Sequence, residues 1–152
     1  MGILKLDNVG YRYDDASIDE YVLKGISYNF ELGKIYAING KSGSGKTTLL
    51  SLISGLEKCS EGHIYFDKQD LSKMDLDKYR SNYIGIVFQS YNLLPHLNAL
   101  ENVILSMDIS HLDDIDKESE ALKLLKSVGI NEEKAHRRVL KLSGGEQQRV
   151  AI

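Results

Sequence analysis

The amino-acid sequence predicts an α/β fold with a mostly parallel central sheet, an antiparallel β region on the N-terminal side and a helical part in the second half. Three observations support this prediction. The apolar run 35–38 leads through a glycine-rich loop into an apolar helical pattern over residues 45–54. The run 84–88 is apolar throughout, which is typical of a strand buried on both faces of a parallel sheet. From Ala99 onward, leucine, isoleucine and valine recur with helical spacing.

The segments before the glycine-rich loop are predicted to be mainly strands. Residues 3–8 form a first strand, and residues 26–32 alternate apolar and polar side chains, as a half-buried strand does. The polar stretch 13–21 between them is predicted to be a loop. Residues 33–34 then turn the chain into the short apolar strand 35–38.

The segments after the loop change gradually from mixed to helical. In chain order we expect a helix over 45–54 that stops at Gly55, a strand over 63–67, a turn over 68–70, a short helix over 75–81, the strand 84–88, and helices over 99–107, 116–128 and from 143 onward. Pro95, the only proline, lies in the loop that opens the helical part. We therefore expect an α/β part over 1–89 and a helical part over 90–152.

Bulk composition narrows the class of protein. The chain has 152 residues, 42% of them apolar and 27% charged, as in an ordinary globular protein of one-domain length. The net charge of -3 leaves no electrostatic footprint for nucleic acid, so we expect no nucleic-acid partner. No apolar run is long enough to span a bilayer, and Cys59 is the only cysteine, so no intrachain disulfide can form. These features favour a cytoplasmic location.

The glycine-rich loop, GKSGSGKTT over residues 40–48, contains the only two threonines in the chain and satisfies the P-loop pattern G-x-x-x-x-G-K-[ST]. Small side chains leave its backbone N–H groups accessible, so they can form a nest for a phosphate. Lys46 supplies a cation to the β- and γ-phosphates, Thr47 a hydroxyl ligand for Mg²⁺, and Thr48 a donor to the α-phosphate. The candidate nucleotide-binding residues are Gly40, Lys41, Ser42, Gly43, Ser44, Gly45, Lys46, Thr47 and Thr48.

A second motif, LSGGEQQR over residues 142–149, places two glycines in the first turn of a predicted helix. Ser143 is a good N-cap, but glycine costs a helix about 1 kcal/mol per residue relative to alanine. That cost is understandable if another backbone or a phosphate must approach the helix start closely. A flexible SGG loop is the alternative, although helical periodicity resumes immediately in EQQRVAI.

With both motifs, the sequence resembles the nucleotide-binding domains of ABC transporters over the whole chain. GKSGSGKT resembles their Walker A motif, LSGGE their signature motif, and VFQ, which ends at Gln89, their Q-loop. Tyr13, in VGYRY, matches the aromatic residue that stacks on adenine, with Tyr11 as the alternative. QSYNLLPHLNALENV, residues 89–103, is especially similar to the branch of macrolide exporters, lipoprotein-releasing ATPases and antimicrobial-peptide exporters.

The resemblance implies a P-loop NTPase fold of the ABC ATPase type, with ATP and Mg²⁺ as cofactors. It also implies a head-to-tail dimer, in which the signature motif of one copy closes over ATP on the P-loop of a second copy. Gln89 would contact Mg²⁺ and the attacking water, and would report to a transmembrane permease subunit. The expected catalytic residues are Lys46, Gln89 and Ser143, the expected metal ligands are Thr47 and Gln89, and the expected signature contacts are Ser143, Gly144, Gly145 and Glu146.

The function that the resemblance implies is the ATP-binding subunit of an exporter. It would couple ATP hydrolysis to export or membrane release of a peptide, lipoprotein or drug-like substrate, from the inner face of the cell membrane. Two alternatives stay open, a soluble ABC-type ATPase outside transport and a non-catalytic nucleotide-binding fragment. The net charge of -3 and the short spacing from Gln89 to Leu142 favour the transporter over the first alternative.

Three family motifs do not occur in the sequence. Walker B, the D-loop and the switch histidine lie downstream of the signature helix in the family, so we expect these 152 residues alone to be unable to hydrolyse ATP and to be poorly stable. Asp67 and Asp108 each follow an apolar run, but neither has the surroundings of the family's metal-binding aspartate. The four histidines, His63, His96, His111 and His136, match no motif and are predicted to be solvated or loop residues.

Overall fold

A computed structural model of the chain describes residues 2–13 and 21–152. The loop expected over 13–21 lies, apart from its two end residues, outside the described residues. The chain divides into two compact units, Met1–Ile84 and Gly85–Ile152. In the described part of the chain, no helix combines the length and the apolar character needed to cross a bilayer.

The first unit contains an antiparallel sheet of four strands. They are β1 (Gly2–Tyr11), β2 (Leu23–Glu31), β3 (Glu61–Phe66) and β4 (Gln69–Asp70), in the order β2-β1-β3-β4. Leu6 of β1 faces Tyr28 of β2 on one side and Ile64 of β3 on the other. Leu4, Leu6 and Ile64 are buried, so alternate residues of the central strands direct one face of the sheet to the core.

Two helices complete the core of the first unit, α1 (Lys46–Ile53) and α2 (Leu76–Tyr83). Leu52 of α1 and Tyr79 of α2 are buried in the same apolar cluster as the strands. The hydroxyl of Tyr79 donates to the Ile53 carbonyl oxygen at 2.9 Å, which links α2 to the end of α1. Burial raises the pKa of Tyr79 to about 12, because the ring is removed from the water that would stabilise its charged form.

The second unit is helical, with α3 (Ala99–Ile109), α4 (Lys117–Ser127), α5 (Glu132–Ala135) and α6 (Gly144–Val150). A polar side chain caps the first turn of each helix; these caps are Asn98, Asp116, Asn131 and Ser143. Its core consists of Ala99, Leu100, Met107, Ala121, Leu125, Ile130, Ala135, Val139, Leu142 and Val150. Leu142 and Val150 lie on either side of the glycine pair, so this core fixes both ends of the signature motif.

The structure corrects two of the predicted strands. Residues 35–38 and 84–88 adopt no strand, and the parallel sheet that they were expected to form has no paired strands among the described residues. The burial expected for residues 84–88 is also wrong, since Val87 is 53% exposed, and Ile35 of the other run is fully exposed. The physical reason is that an apolar run becomes a strand only when a second strand satisfies its backbone N–H and C=O groups. Neither run has such a neighbour within the described residues.

The other predicted elements are confirmed, with small shifts. The five predicted helices end within about two residues of α1, α2, α3, α4 and α6, and strands 3–8, 26–32 and 63–67 lie largely within β1, β2 and β3. The turn expected over 68–70 is displaced, because Asp67 and Lys68 take the positive φ values and residues 69–70 form β4. The sequence prediction missed α5, whose four residues are too few to show a helical period.

Candidate functional site

The glycine-rich loop places its tightest backbone turn at Gly45, immediately before α1. Gly45 has φ 82° and ψ 10°, a left-handed conformation that other residues rarely adopt. A Cβ atom at this position would also lie 2.7 Å from Leu23 Cδ2 and 3.0 Å from the Val22 carbonyl oxygen. Both observations require glycine here, so the loop keeps its shape through the close approach of β2.

The start of α1 has the chemistry of an anion site. Among the residues that the structure describes, no side chain caps this helix, and its first intrahelical hydrogen bond runs from Leu49 N to Gly45 O at 2.8 Å. The amides of Lys46, Thr47 and Thr48 therefore precede the hydrogen-bonded ladder of the helix and can donate to a ligand. The positive end of the helix dipole adds to their attraction for phosphate. A phosphate chain fits this set of donors.

Lys46 lies across the same loop. Its Nζ donates to the carbonyl oxygens of Gly40 at 2.9 Å and Lys41 at 2.7 Å, so the loop backbone holds the ammonium group beside the glycines. Thr47 is exposed and Thr48 is half-buried. The structure thus brings the predicted residues 40–48 together, with backbone amides, the ammonium group of Lys46 and the hydroxyls of Thr47 and Thr48 among their polar groups. A hydroxyl is an oxygen ligand of the kind that Mg²⁺ prefers, so Thr47 fits the predicted metal position.

The signature segment, which we define as residues 142–146, forms a capped helix start. Ser143 Oγ accepts from Glu146 N at 3.4 Å, and Glu146 Oε2 accepts in return from Ser143 N at 2.8 Å and from Ser143 Oγ at 3.0 Å. Gln147 Nε2 also donates to the Leu142 carbonyl oxygen at 2.9 Å. Ser143, Gly144 and Gly145 are exposed. These reciprocal bonds form a capping box, which holds the exposed turn in one conformation.

The glycine pair of this segment is not required by the chain's own packing. A Cβ atom added at Gly144 would come no closer than 4.0 Å to another group, the Tyr91 hydroxyl, and one added at Gly145 would come no closer than 3.7 Å, to Arg149 Nη1. These separations are ordinary contact distances. Unlike at Gly45, a Cβ atom at either of these positions would therefore clash with no group among the described residues.

The two remaining predicted residues are solvent-accessible. Gln89 lies exposed in a turn at the start of the second unit. The ring of Tyr13 is 53% exposed, whereas Tyr11 is 8% exposed and belongs to the core of the first unit. The two rings meet edge to face at 5.3 Å between centroids. Of the two tyrosines, Tyr13 therefore has the accessible ring face that stacking on a base requires.

The acidic and histidine alternatives contribute no site. Asp108 forms an ion pair with Lys117 at 2.7 Å, and Asp67 lies in the turn after β3. His63 lies on β3 and contacts Asp70 Oδ2 at 2.8 Å. Among the residues that the structure describes, no three His, Cys, Asp or Glu side chains cluster so as to hold a metal ion.

One charged contact of the signature segment was missed by sequence reasoning. Lys134 Nζ, from α5, donates to Glu146 Oε1 at 2.6 Å. This hydrogen bond, followed by those from Ser143, lowers the pKa of Glu146 to about 2. The two residues are separated by a 3-10 turn, Val139–Lys141, and no periodic pattern links them. The signal available in the sequence was only the charge complementarity of a lysine and a glutamate.

Comparison with known proteins identifies the family. The model of the family described as ABC transporter matches residues 23–152. The uncharacterized ABC transporter ATP-binding protein YclH of Bacillus subtilis is 47% identical over all 152 residues, which span 66% of that relative. This chain therefore belongs to the ABC transporter family.

Solved structures of the family share the fold. The dimeric ATP-binding cassette MJ0796, in a post-hydrolysis state with ADP and Pi, is 39% identical, with a TM-score of 0.85 over 97% of this chain and 66% of that one. A second dimeric structure of MJ0796 gives a TM-score of 0.86 at 39% identity, over 98% of this chain and 67% of that one. CbiO1 of Clostridium perfringens, part of the ABC transporter complex cbiONQ, gives a TM-score of 0.74 at 30% identity, over 99% of this chain and 59% of that one. The predicted ABC ATPase fold is confirmed, and the chain spans about two thirds of its first relatives.

Proposed function

We propose that this chain is the nucleotide-binding part of an ABC transporter's ATP-binding subunit. The P-loop, residues 40–48, would bind the phosphates of ATP through its amides, Lys46 and Thr48, with Mg²⁺ at Thr47 and Gln89. Tyr13 would stack on the adenine. The support is the family membership of the chain, together with the donor set at the start of α1. When bound, Mg²⁺ would supply charge neutralisation at the phosphates.

The observation that best supports the wider mechanism is that a Cβ atom would fit at Gly144 and at Gly145 without a clash, although both positions hold glycine. Two glycines in a helix start weaken the helix, and no group among the described residues requires a glycine at either position. We infer that a second copy of the chain approaches this turn, with ATP on its own P-loop, so that Ser143 and the glycine backbone contact the γ-phosphate. The dimeric structures of MJ0796, which is 39% identical to this chain, support the association of two copies. The head-to-tail arrangement of the two copies is part of the proposal.

The substrate and the permease are further parts of the proposal. We infer a transmembrane permease partner that holds the chain at the inner face of the membrane. CbiO1, which is part of the ABC transporter complex cbiONQ, supports membership of a larger complex. The similarity of residues 89–103 to the exporter branch favours export or membrane release of a peptide, lipoprotein or drug-like substrate. A soluble ABC ATPase outside transport is the alternative, and co-purification with a permease separates the two.

We also propose that these 152 residues bind nucleotide without hydrolysing it. Hydrolysis needs a Mg²⁺-binding acid and a group that orients water. Asp108 is engaged by Lys117 at 2.7 Å, and Asp67 lies in a surface turn, so neither is placed to take that part. An ATPase assay on residues 1–152 tests this point, and measurable turnover would contradict it.

Titration calorimetry with ATP and Mg²⁺ tests the P-loop. In the full natural gene product, Lys46→Met should weaken ATP binding by roughly 30-fold or more, since breaking a buried charge pair costs about 2–5 kcal/mol. Lys34→Met is the matched control, because that lysine pairs with Glu31 at 2.5 Å on the surface of the same unit. Equal affinity for wild type and Lys46→Met would contradict the proposed phosphate site.

A further inference from the structure

Lys134 contacts the signature segment from outside the predicted site. Its Nζ donates to Glu146 Oε1 at 2.6 Å, while the other carboxylate oxygen accepts from the amide and the hydroxyl of Ser143 at 2.8 and 3.0 Å. The Glu146 side chain is 15% exposed, so the protein surrounds most of it. Both oxygens of one carboxylate thus connect Lys134 to Ser143.

The backbone around Lys134 is anchored on both sides. Its own amide donates to the side chain of Asn131 at 3.0 Å, which starts α5. Ile130 before the helix and Ala135 at its end are fully buried in the core of the second unit. The backbone of Lys134 is therefore fixed, and forming the contact with Glu146 requires ordering only the torsions of the lysine side chain.

The charge of Glu146 makes this contact relevant to nucleotide binding. The Lys134 hydrogen bond is the largest cause that lowers the pKa of Glu146, and the carboxylate is therefore ionised at neutral pH. An ionised carboxylate bonded to Ser143 stands next to the position at which the proposed function brings a phosphate. The Glu146 carboxylate and the incoming phosphate would repel each other, and the adjacent ammonium group of Lys134 reduces this repulsion.

We propose that Lys134 is a positioning residue of the signature segment. It holds the Glu146 carboxylate so that this carboxylate fixes Ser143, and it compensates the negative charge beside the incoming phosphate. This role rests on the proposed function, in which the signature segment closes over ATP bound to a second copy. A neutral glutamine at position 146 could complete the same capping box without needing a cation.

A double-mutant cycle in the full natural gene product tests the role. The readout is the ATP concentration for half-maximal dimerisation, measured by sedimentation. EDTA is present because it removes Mg²⁺, without which ATP is not hydrolysed. Lys134→Met should raise this concentration about tenfold, and Lys134→Arg should restore most of the loss. In an E146Q background, Lys134→Met should change it less than about threefold, because the charge that needs compensation is gone.

The control is Lys123→Met, which removes a lysine that pairs with Glu120 at 3.2 Å on the surface of the same unit. It should dimerise as wild type does. A readout independent of nucleotide is the carboxyl titration of Glu146 by NMR, whose pKa of about 2 should rise toward 4.5 in Lys134→Met.

The outcomes separate the two levels of inference. If Lys134→Met dimerises at the same ATP concentration as wild type, Lys134 has no positioning role. The same conclusion follows if Lys134→Met raises this concentration as much in the E146Q background as in the wild-type background. An unchanged Glu146 titration in Lys134→Met also overturns it. A wild type that binds ATP and Mg²⁺ in titration calorimetry but stays monomeric at every ATP concentration refutes the pairing of two copies, and with it this role of Lys134. A wild type that binds no ATP in calorimetry refutes the proposed function itself.

Discussion

Replacing Gly145 by alanine should stabilise the fold while it weakens ATP-dependent dimerisation. Gly145 is in the first turn of α6, and the new Cβ would lie 3.7 Å from its nearest neighbour, Arg149 Nη1, so no internal clash results. Removing a helical glycine lowers the entropy cost of folding by roughly 0.5–1 kcal/mol. The free energy of unfolding should therefore rise by up to about that amount, which corresponds to a few degrees in Tm.

The Gly145→Ala substitution should weaken only the ATP-dependent dimer and not the folding of the single chain. The added methyl group would occupy the space through which the proposed partner nucleotide approaches the backbone of Gly145. Forcing a methyl group into a closely packed contact costs about 1–3 kcal/mol. This range is roughly 5- to 150-fold in the ATP concentration that drives dimerisation.

Two measurements on the same variant check the prediction. Urea unfolding gives the free energy of unfolding, and sedimentation in ATP with EDTA gives the dimerisation midpoint. A more stable protein that dimerises less well supports the reasoning, because misfolding cannot then explain the loss. Dimerisation equal to that of wild type would show that no partner approaches Gly145 closely, and a destabilised variant would show that the chain itself has no room for the added methyl group.

Two further predictions concern stability. Gly62→Ala should cost roughly 2–4 kcal/mol, because its φ is 74° and a Cβ would overlap the backbone of β1. Gly33→Ala has the same φ, but no atom of the described residues lies within 4 Å of the added Cβ, so it should cost about 1–2 kcal/mol. Urea unfolding compares the two variants, and equal losses would refute the packing argument. Tyr79→Phe should cost about 1 kcal/mol through the lost hydrogen bond to Ile53. Since burial raises the folded-state pKa of Tyr79 from 10 to about 12, its contribution is complete below pH 10 and is lost as the pH rises toward 12. Unfolding titrations at about pH 9 and 11 should therefore show a smaller pH dependence in Tyr79→Phe, and an equal dependence would contradict the assignment.

Sequence reasoning succeeded where structure depends on neighbouring residues along the chain. The helix at Lys46 follows from the glycine loop before it and Gly55 after it, and the helix at Gly144 follows from the Ser143 cap. The P-loop residues lie within one continuous loop, so their spacing alone brings them together. These features are local, and the pattern of residue types predicts them directly.

It failed where structure depends on distant partners. The runs 35–38 and 84–88 are apolar enough for buried strands, yet they adopt no strand in the described residues, because a strand needs hydrogen bonds from a second strand. The contact between Lys134 and Glu146 likewise joins residues from two helices. The spacing of apolar residues within one helix cannot predict a contact between side chains of two different helices.

By itself, the sequence determined which segments form helices, where the phosphate-binding loop lies, and to which family its two motifs assign the chain. The tertiary structure alone decided which apolar runs are paired, that Tyr13 and not Tyr11 has an accessible ring, and that Lys134 holds the carboxylate of Glu146. The physical reason is the range of the interactions. Caps, turns and helical periods act within a few residues, whereas strand pairing, burial and ion pairs between helices depend on contacts that only the folded chain brings together.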